Sequence, residues 1–254
     1  MLNPTIFEIW SIQVTWYALV YICGFLTALF ILIRASNKKE LDITKSQAYD
    51  IIIILFLGAI AGARIFHILF YSFDYFSSNP DKILKIWEGG LSFHGGVIGA
   101  FLAVFIYCKK KKINFWKLAD ILALPLIFFL ALGRLANFIN QEIVGEITNV
   151  PWCVHFIGWE GCRHPVQLYG AFGRFVLFVF LLFLQEQKKF KDGFIFWIFV
   201  LLISIGRFFT DFFRVDALHF GLSSGQWLSL FFIIMSIISF KLTTKQPKSS
   251  NGYT

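Results

Sequence analysis

The sequence predicts an all-α, polytopic integral membrane protein of about seven transmembrane helices, with the N-terminus outside and the C-terminus cytoplasmic. Three observations carry that expectation. Of 254 residues, 57% are hydrophobic and only 15% charged, where soluble domains run near half and a quarter. Mean hydropathy is +0.70. Several apolar runs approach the roughly 20 residues that cross a bilayer's ~30 Å hydrocarbon core, and the basic residues gather in alternate loops between them.

Taken in order, the runs fall at 15–33, 51–71, 91–108, 118–137, 168–184, 193–213 and 226–241. The third, fifth and seventh are short, which tilt or snorkelling flanks would accommodate. Of the 23 Lys and Arg, fifteen lie in loops on one side, among them Arg34, Lys38, Lys109 to Lys112, Lys117, Lys188, Lys189 and Lys245. Four (Lys82, Lys85, Arg163, Arg214) lie on the other side, and four (Arg64, Arg134, Arg174, Arg207) lie within spans. Cytoplasmic loops carry the excess of Lys and Arg, and this sets the orientation. The expected organisation is a single transmembrane catalytic domain, 1–241, with outer loops at 72–90 and 138–167, followed by a polar cytoplasmic tail at 242–254. A net charge of +8 distributed in this way argues for anionic lipid surfaces and against a nucleic-acid partner. No basic leader with an A-x-A-like cleavage site is visible at the N-terminus.

Cys23 and Cys108 fall within spans and read as space-filling. Cys153 and Cys162 share one outer loop in a compartment that can be oxidising. Two readings stay open there, a structural disulfide or free thiols.

Ionisable side chains within hydrocarbon cost a few kcal/mol each on insertion scales, so each requires a partner or a function. Given this orientation, Arg64, His67, His94, Arg134, Arg174, Arg207 and Asp211 all belong to the outward half of helices 2 to 6. Positive groups predominate, so the expected ligand is an anion. Arginine's planar fork suits phosphate, which makes the phosphate of an outer-leaflet phospholipid headgroup the simplest candidate. Arg64 and Arg174 also admit a plainer reading, in which they snorkel to the interface.

The stretch GRLANFINQEIVG, 133–145, ends an oily helix in an arginine, two asparagines and a glutamate. Arg134, Asn137 and Gln141 share one face if the helix continues. Asn140 and Glu142 lie on neighbouring faces, and Gly133 and Gly145 permit a turn or a close approach. The whole reads as a polar rim for a headgroup. In EGGLSFHGGVIGA, 88–100, His94 stands where loop becomes helix, and histidine is suited to moving a proton near neutral pH. Gly95 with Gly99, and Gly58 with Gly62, form small-xxx-small packing faces. In GRFFTDFFRVD, 206–216, Arg207 and Asp211 form an i, i+4 ion pair. There is no phosphate loop, no G-x-S-x-G elbow and no H-E-x-x-H, so neither a metal nor a cofactor is expected.

GRLANFINQEIVG resembles the signature of the bacterial prolipoprotein diacylglyceryl transferases, G-R-x-x-N-F-x-N-x-E-x-x-G, at every fixed position. WYALVY at 16–21, SFHGG at 92–96, HPVQLY at 164–169 and RFFTDFFRVD at 207–216 agree in order and spacing, so the resemblance covers essentially the whole chain. It implies transfer of a diacylglyceryl group from phosphatidylglycerol to the lipobox cysteine thiol of a prolipoprotein. The products would be a thioether and glycerol-1-phosphate, and the reaction would take place at the outer leaflet of the bacterial inner membrane. By the same resemblance, Arg134 holds the phosphate with Asn137 nearby and Arg207 stabilises charge on the departing group. His94 helps deprotonate the thiol, and Tyr17 bonds the phosphate or headgroup. Glu142 binds Arg134 or a substrate hydroxyl. Arg134, Asn137, Asn140, Glu142, Gly145, Asp211 and Arg64 make up the expected substrate-binding set, with His94, Arg134, Arg207 and Tyr17 as the catalytic one.

The chain departs from the family pattern in three residues and one loop. Gly170 stands where the family usually has Glu, Asp211 where it has Glu, and Ile203 where it often has Tyr, and the loop at 146–163 is short. A different class, a transporter or flippase for an anionic lipid or solute, would also use intramembrane arginines. It should show polar groups through the full membrane depth and repeated or broken helices, and neither is seen here.

Overall fold

The computed structural model describes residues 5–9, 12–187 and 190–244. Helices dominate: α1 (Trp16–Asn37), α2 (Lys45–Tyr71), α3 (Phe73–Ser78), α4 (Phe93–Lys111), α5 (Phe115–Ile139), α6 (Val166–Glu186), α7 (Phe194–Thr210) and α8 (Ser224–Thr244). Two small antiparallel hairpins accompany them, β1 (Thr5–Ile9) with β2 (Ile12–Thr15), and β3 (Leu218–His219) with β4 (Leu222–Ser223). The fold is otherwise all-helical, as the sequence predicts, and these two hairpins are its small exceptions.

Five helices, α1, α2, α5, α6 and the α7 segment running to Phe213, are long and apolar enough to cross a membrane. The chain is a multi-pass membrane protein. α8 counts as a shorter apolar helix over Ser224–Phe240, and α4, diluted by glycines and by a lysine-rich last turn, falls outside the five. Lys188 and Lys189, and the tail from 245 onward, lie outside the described residues.

The chain divides into two compact units, one drawn from 1–27 and 119–254 and the other spanning 28–118. In the second unit, α2 begins at a reciprocal cap. The Thr44 side chain accepts from the Gln47 backbone N–H, and the Gln47 side chain accepts from the Thr44 N–H, which satisfies two orphan donors of the helix end. α2 and α4 then pack through the glycines singled out above. A Cβ built on Gly62 would lie 3.0 Å from the Gly99 backbone nitrogen, and one on Gly58 would lie 2.8 Å from the Gly99 carbonyl oxygen. Only hydrogen fits at these crossings, so the two backbones touch directly. Across the same pair of helices, the Tyr107 hydroxyl donates to Asp50 over 2.6 Å.

The core of the other unit is a cluster of Ala123, Leu124, Ile127, Leu177, Leu181, Ile195 and Phe199 from α5, α6 and α7. Asp120 explains its own presence near the start of α5. Its carboxylate accepts from the backbone N–H groups of Gly193 and Phe196, each over 2.7 Å, and so caps the positive N-terminal end of α7. α8 starts at a second reciprocal cap, between Ser223 and Gln226. The Gln226 amide also donates to the Phe208 carbonyl, tying α8 to α7.

Cys153 and Cys162 form a disulfide, with Cα atoms 5.5 Å apart, and this decides between the two readings left open by the sequence. It closes a hairpin in which Val154 and Arg163 exchange backbone hydrogen bonds and the Thr148 N–H donates to the Cys162 carbonyl. Constraining a loop of this length is worth about 2–3 kcal/mol on the chain-entropy scale. Replacing Cys153 by Ser is expected to lower the thermal midpoint, read by tryptophan fluorescence in detergent. A midpoint identical to that of the parent protein would show that the crosslink contributes nothing to stability.

Candidate active site

The unit built from 1–27 and 119–254 contains Tyr17, Arg134, Asn137, Asn140, Glu142, Gly145, Arg207 and Asp211, whereas Arg64 and His94 belong to the unit spanning 28–118. α5 delivers Arg134 and Asn137 and ends at Ile139. It does not continue to Gln141, whose side chain turns to accept from the Ile157 N–H over 2.6 Å. The shared face of Arg134, Asn137 and Gln141 is therefore corrected to Arg134 and Asn137. Gln141 and Ile143 both take left-handed backbone conformations, with φ of 58° and 59°. For a β-branched residue such as Ile143 this is a strained choice of order 1–3 kcal/mol. The two reversals fold Glu142 back over the end of the helix.

There the Asn137 amide donates both to the Tyr17 hydroxyl oxygen, over 3.1 Å, and to Glu142 Oε2, over 2.9 Å. The Asn140 amide donates to Glu142 Oε1 over 3.1 Å. The Tyr17 hydroxyl accepts from Asn137 and is also hydrogen-bonded with Tyr21, one turn on along α1. The Glu142 carboxylate is thus held by two amides, not by Arg134. Sequence reasoning missed Gln167, which is fully buried and whose amide donates to the Glu142 carbonyl over 2.6 Å. Its signal was a primary amide in the first turn of an otherwise apolar helix.

Gly145 lies where two backbone segments converge. It bridges to Arg214, and its neighbour Glu146 donates its N–H to Phe213 and accepts from the His164 N–H. A Cβ there would lie 2.9 Å from the Phe213 carbonyl oxygen and would also meet the His164 backbone. Gly145 therefore serves this junction, while the Arg163 guanidinium braces it by donating to the Gly145 carbonyl. At the same junction Trp152 Nε1 donates to the Tyr169 hydroxyl over 2.7 Å, and that hydroxyl lies 3.0 Å from His164 Nδ1.

The arginines differ sharply in what they are bonded to. Arg64 is buried, and its five N–H groups end on the carbonyls of Lys82, Ile83, Lys85, Gly89 and Gly90, with Phe76 under the guanidinium. Neither the snorkelling reading nor the substrate-binding one describes this; Arg64 ties down the 72–90 loop of its own unit. Arg207 Nε lies 3.5 Å from Asp211, the i, i+4 pair expected from the sequence. Gly225, at the start of α8, makes room for that pair, since a Cβ there would lie 2.9 Å from Arg207 Nη2. Arg214 pairs with Asp216 over 3.2 Å. Asp216 lies beyond the helix, where burial raises its carboxyl above the usual range while Arg214 pulls it back.

Arg134 and Arg174 have no carboxylate partner among the described residues. Both flank Gly170: a Cβ there would lie 2.8 Å from Arg174 Nη1 and 3.6 Å from Arg134 Cδ. Both are repelled by Arg207. A cluster of guanidinium groups at membrane depth, in excess of the carboxylates around it, is suited to an anion that supplies the missing negative charge. In the other unit, His94 occupies the first turn of α4, half-buried, behind Ser92, whose side chain accepts from the Gly95 N–H.

Comparison with known proteins gives the same direction. Residues 4–242 match the family described as prolipoprotein diacylglyceryl transferase. The phosphatidylglycerol–prolipoprotein diacylglyceryl transferase of Geobacter sulfurreducens is 41% identical over 89% of this chain and 87% of its own length. That of Pasteurella multocida is 40% identical over 90% and 85%, and that of Idiomarina loihiensis 38% identical over 96% and 94%. With a match of this extent, the protein belongs to the prolipoprotein diacylglyceryl transferase family.

Proposed function

We propose that this chain transfers the diacylglyceryl group of phosphatidylglycerol to the lipobox cysteine of prolipoproteins. The observation that carries the reading is the pair of guanidinium groups, Arg134 and Arg174, that lack a carboxylate partner among the described residues, beside the Arg207–Asp211 pair. The lipid's phosphate supplies the charge they lack. The thiolate sulfur attacks the glyceryl carbon bearing the phosphate, the C–O bond breaks, and the phosphate oxygen keeps the electron pair and leaves as glycerol-1-phosphate. The thiol's proton is lost before or during attack, because the thiolate is the nucleophile.

In this reading Arg134 grips the phosphate while Asn137 sets the positions of Tyr17 and Glu142. Tyr17 bonds the headgroup through its hydroxyl. Arg207, aimed by Asp211, stabilises charge building on the leaving oxygen. Glu142 and Asn140 orient a headgroup hydroxyl, and Gly145 keeps the surrounding loops in register. His94 takes the thiol proton. Arg64, with every donor engaged, is left out of the substrate contacts.

Seven spans, an outside N-terminus and a cytoplasmic C-terminus complete the proposal, with one catalytic transmembrane domain in the bacterial inner membrane and its site toward the outer leaflet. The Cys153–Cys162 disulfide supports that orientation, since such bonds persist in oxidising compartments, as does the asymmetry of the loop lysines. The transporter reading finds no support in the relatives.

The test is purified protein in vesicles of phosphatidylglycerol with a lipobox peptide, monitored for glycerol phosphate release and a lipid-sized mass increase on the peptide. Both are expected with phosphatidylglycerol and neither with phosphatidylcholine. Release of glycerol phosphate without peptide modification would sink the transferase reading.

A further inference from the structure

We infer that Arg174 is a further phosphate-binding residue, at the polar end of a lipid-shaped cavity between α6 and α7; the inference rests on the proposed function and adds a residue to its site. The cavity has a volume of about 220 Å³. Its polar end is formed by Arg174, Arg207, Thr210 and Tyr169, and its other end by Leu177, Phe180 and Leu202. An amphiphile has the same division, with an anionic group above and a hydrocarbon chain below. Glycines provide the room, because no atom lies within 4 Å of where a Cβ would stand on Gly173 or Gly206.

Arg174 is not a side chain with its hydrogen bonding complete. Its hydrogen bond among the described residues runs from Nη1 to the Gly170 carbonyl over 2.7 Å, one turn back on its own helix. Its Nε is buried and has no hydrogen-bond partner among the described residues. An arginine that had merely snorkelled would leave its donors in water. Here a buried donor is left without an acceptor, which is costly, beside two other arginines that repel the group. A phosphate between Arg174 and Arg207 removes both penalties at once, by accepting from the orphan donor and neutralising the like charges. The phosphate could be the phosphodiester of the lipid or the monoester that leaves.

The test uses full-length protein in vesicles of graded phosphatidylglycerol content with a lipobox peptide. Arg174→Gln is expected to raise the KM for phosphatidylglycerol about tenfold, the loss of one charge-assisted hydrogen bond, with kcat changed less than about threefold. Arg174→Lys, which restores the charge without the fork, should fall between. Gly173→Leu fills the cavity at a position where the new Cβ meets nothing and favours the helix; a raised KM there cannot be assigned to misfolding. Inhibition by added glycerol phosphate is measured on the same variants. A raised KM for lipid assigns the phosphodiester, and a raised inhibition constant alone assigns the product. If neither moves, or if kcat falls with both unchanged, Arg174 is not a phosphate ligand. Retention of phosphatidylglycerol over phosphatidylcholine in native mass spectra, weaker in Arg174→Gln, needs no turnover. It therefore tests the subsite separately from the reaction.

Discussion

Replacing Arg134 by alanine is expected to lower thioether formation by about 10²–10³-fold, the scale on which a single preorganised donor to developing charge acts. The reason lies in what surrounds it. Arg134 has no carboxylate partner among the described residues, so its removal leaves no buried carboxylate stranded and even relieves repulsion from Arg207 and Arg214. The protein should therefore accumulate and melt at or above the parent temperature while losing activity. That separation of stability from activity is the signature of a residue kept for substrate. Arg134→Lys should recover part of the rate, because it returns the charge but not the bidentate fork. The measurements are thermal melting in detergent alongside glycerol phosphate release from phosphatidylglycerol vesicles. A variant with full activity would remove Arg134 from the phosphate site. One that fails to fold would show that its role is structural.

Gly62→Leu should act in the opposite way, through stability. The Cβ it introduces would lie against the Gly99 backbone, and the rest of the side chain would have nowhere to go without separating α2 from α4. Overpacking commonly costs about 1–3 kcal/mol and occasionally more, and a backbone contact cannot yield by changing rotamer. We expect sharply reduced yield in membranes and a lower melting temperature, with Gly99→Leu giving the same outcome. Gly89→Ala is a useful contrast. It lies in the same unit at φ 90° with open space around it, so its cost should come from backbone strain alone. A normal melting profile for Gly62→Leu would mean that the α2–α4 contact is not as close as it stands here.

The legible part of the site was the part written locally. Arg207 and Asp211 are four residues apart on one helix, and helical spacing alone brings them together; the pair is present. The glycine faces of α2 and α4 were equally readable, because a small-xxx-small repeat in an apolar run has few other uses. The sequence left open where the helix ends: Gln141 shares the face of Arg134 and Asn137 only if the helix continues, and instead it stops at Ile139 and the backbone reverses at Gln141 and Ile143. Nothing in a single sequence announces a left-handed isoleucine.

The arginines mark the boundary between what the sequence determines and what the fold decides. Composition, apolar run length and the placement of lysines were sufficient for a helical membrane protein, because lipid penalises every unpaired backbone group and leaves helices as the solution for such runs. The ordered motifs were sufficient for the family. Both are properties of residues counted along the chain. On that count Arg64 and Arg174 looked alike, both open to a snorkelling reading. Only the tertiary structure separated Arg64, with five donors on loop carbonyls, from Arg174, which has no carboxylate partner among the described residues. The physical reason is that a guanidinium's function depends on which acceptors come within about 3 Å of it. Those acceptors come from segments distant in sequence, brought together only by folding.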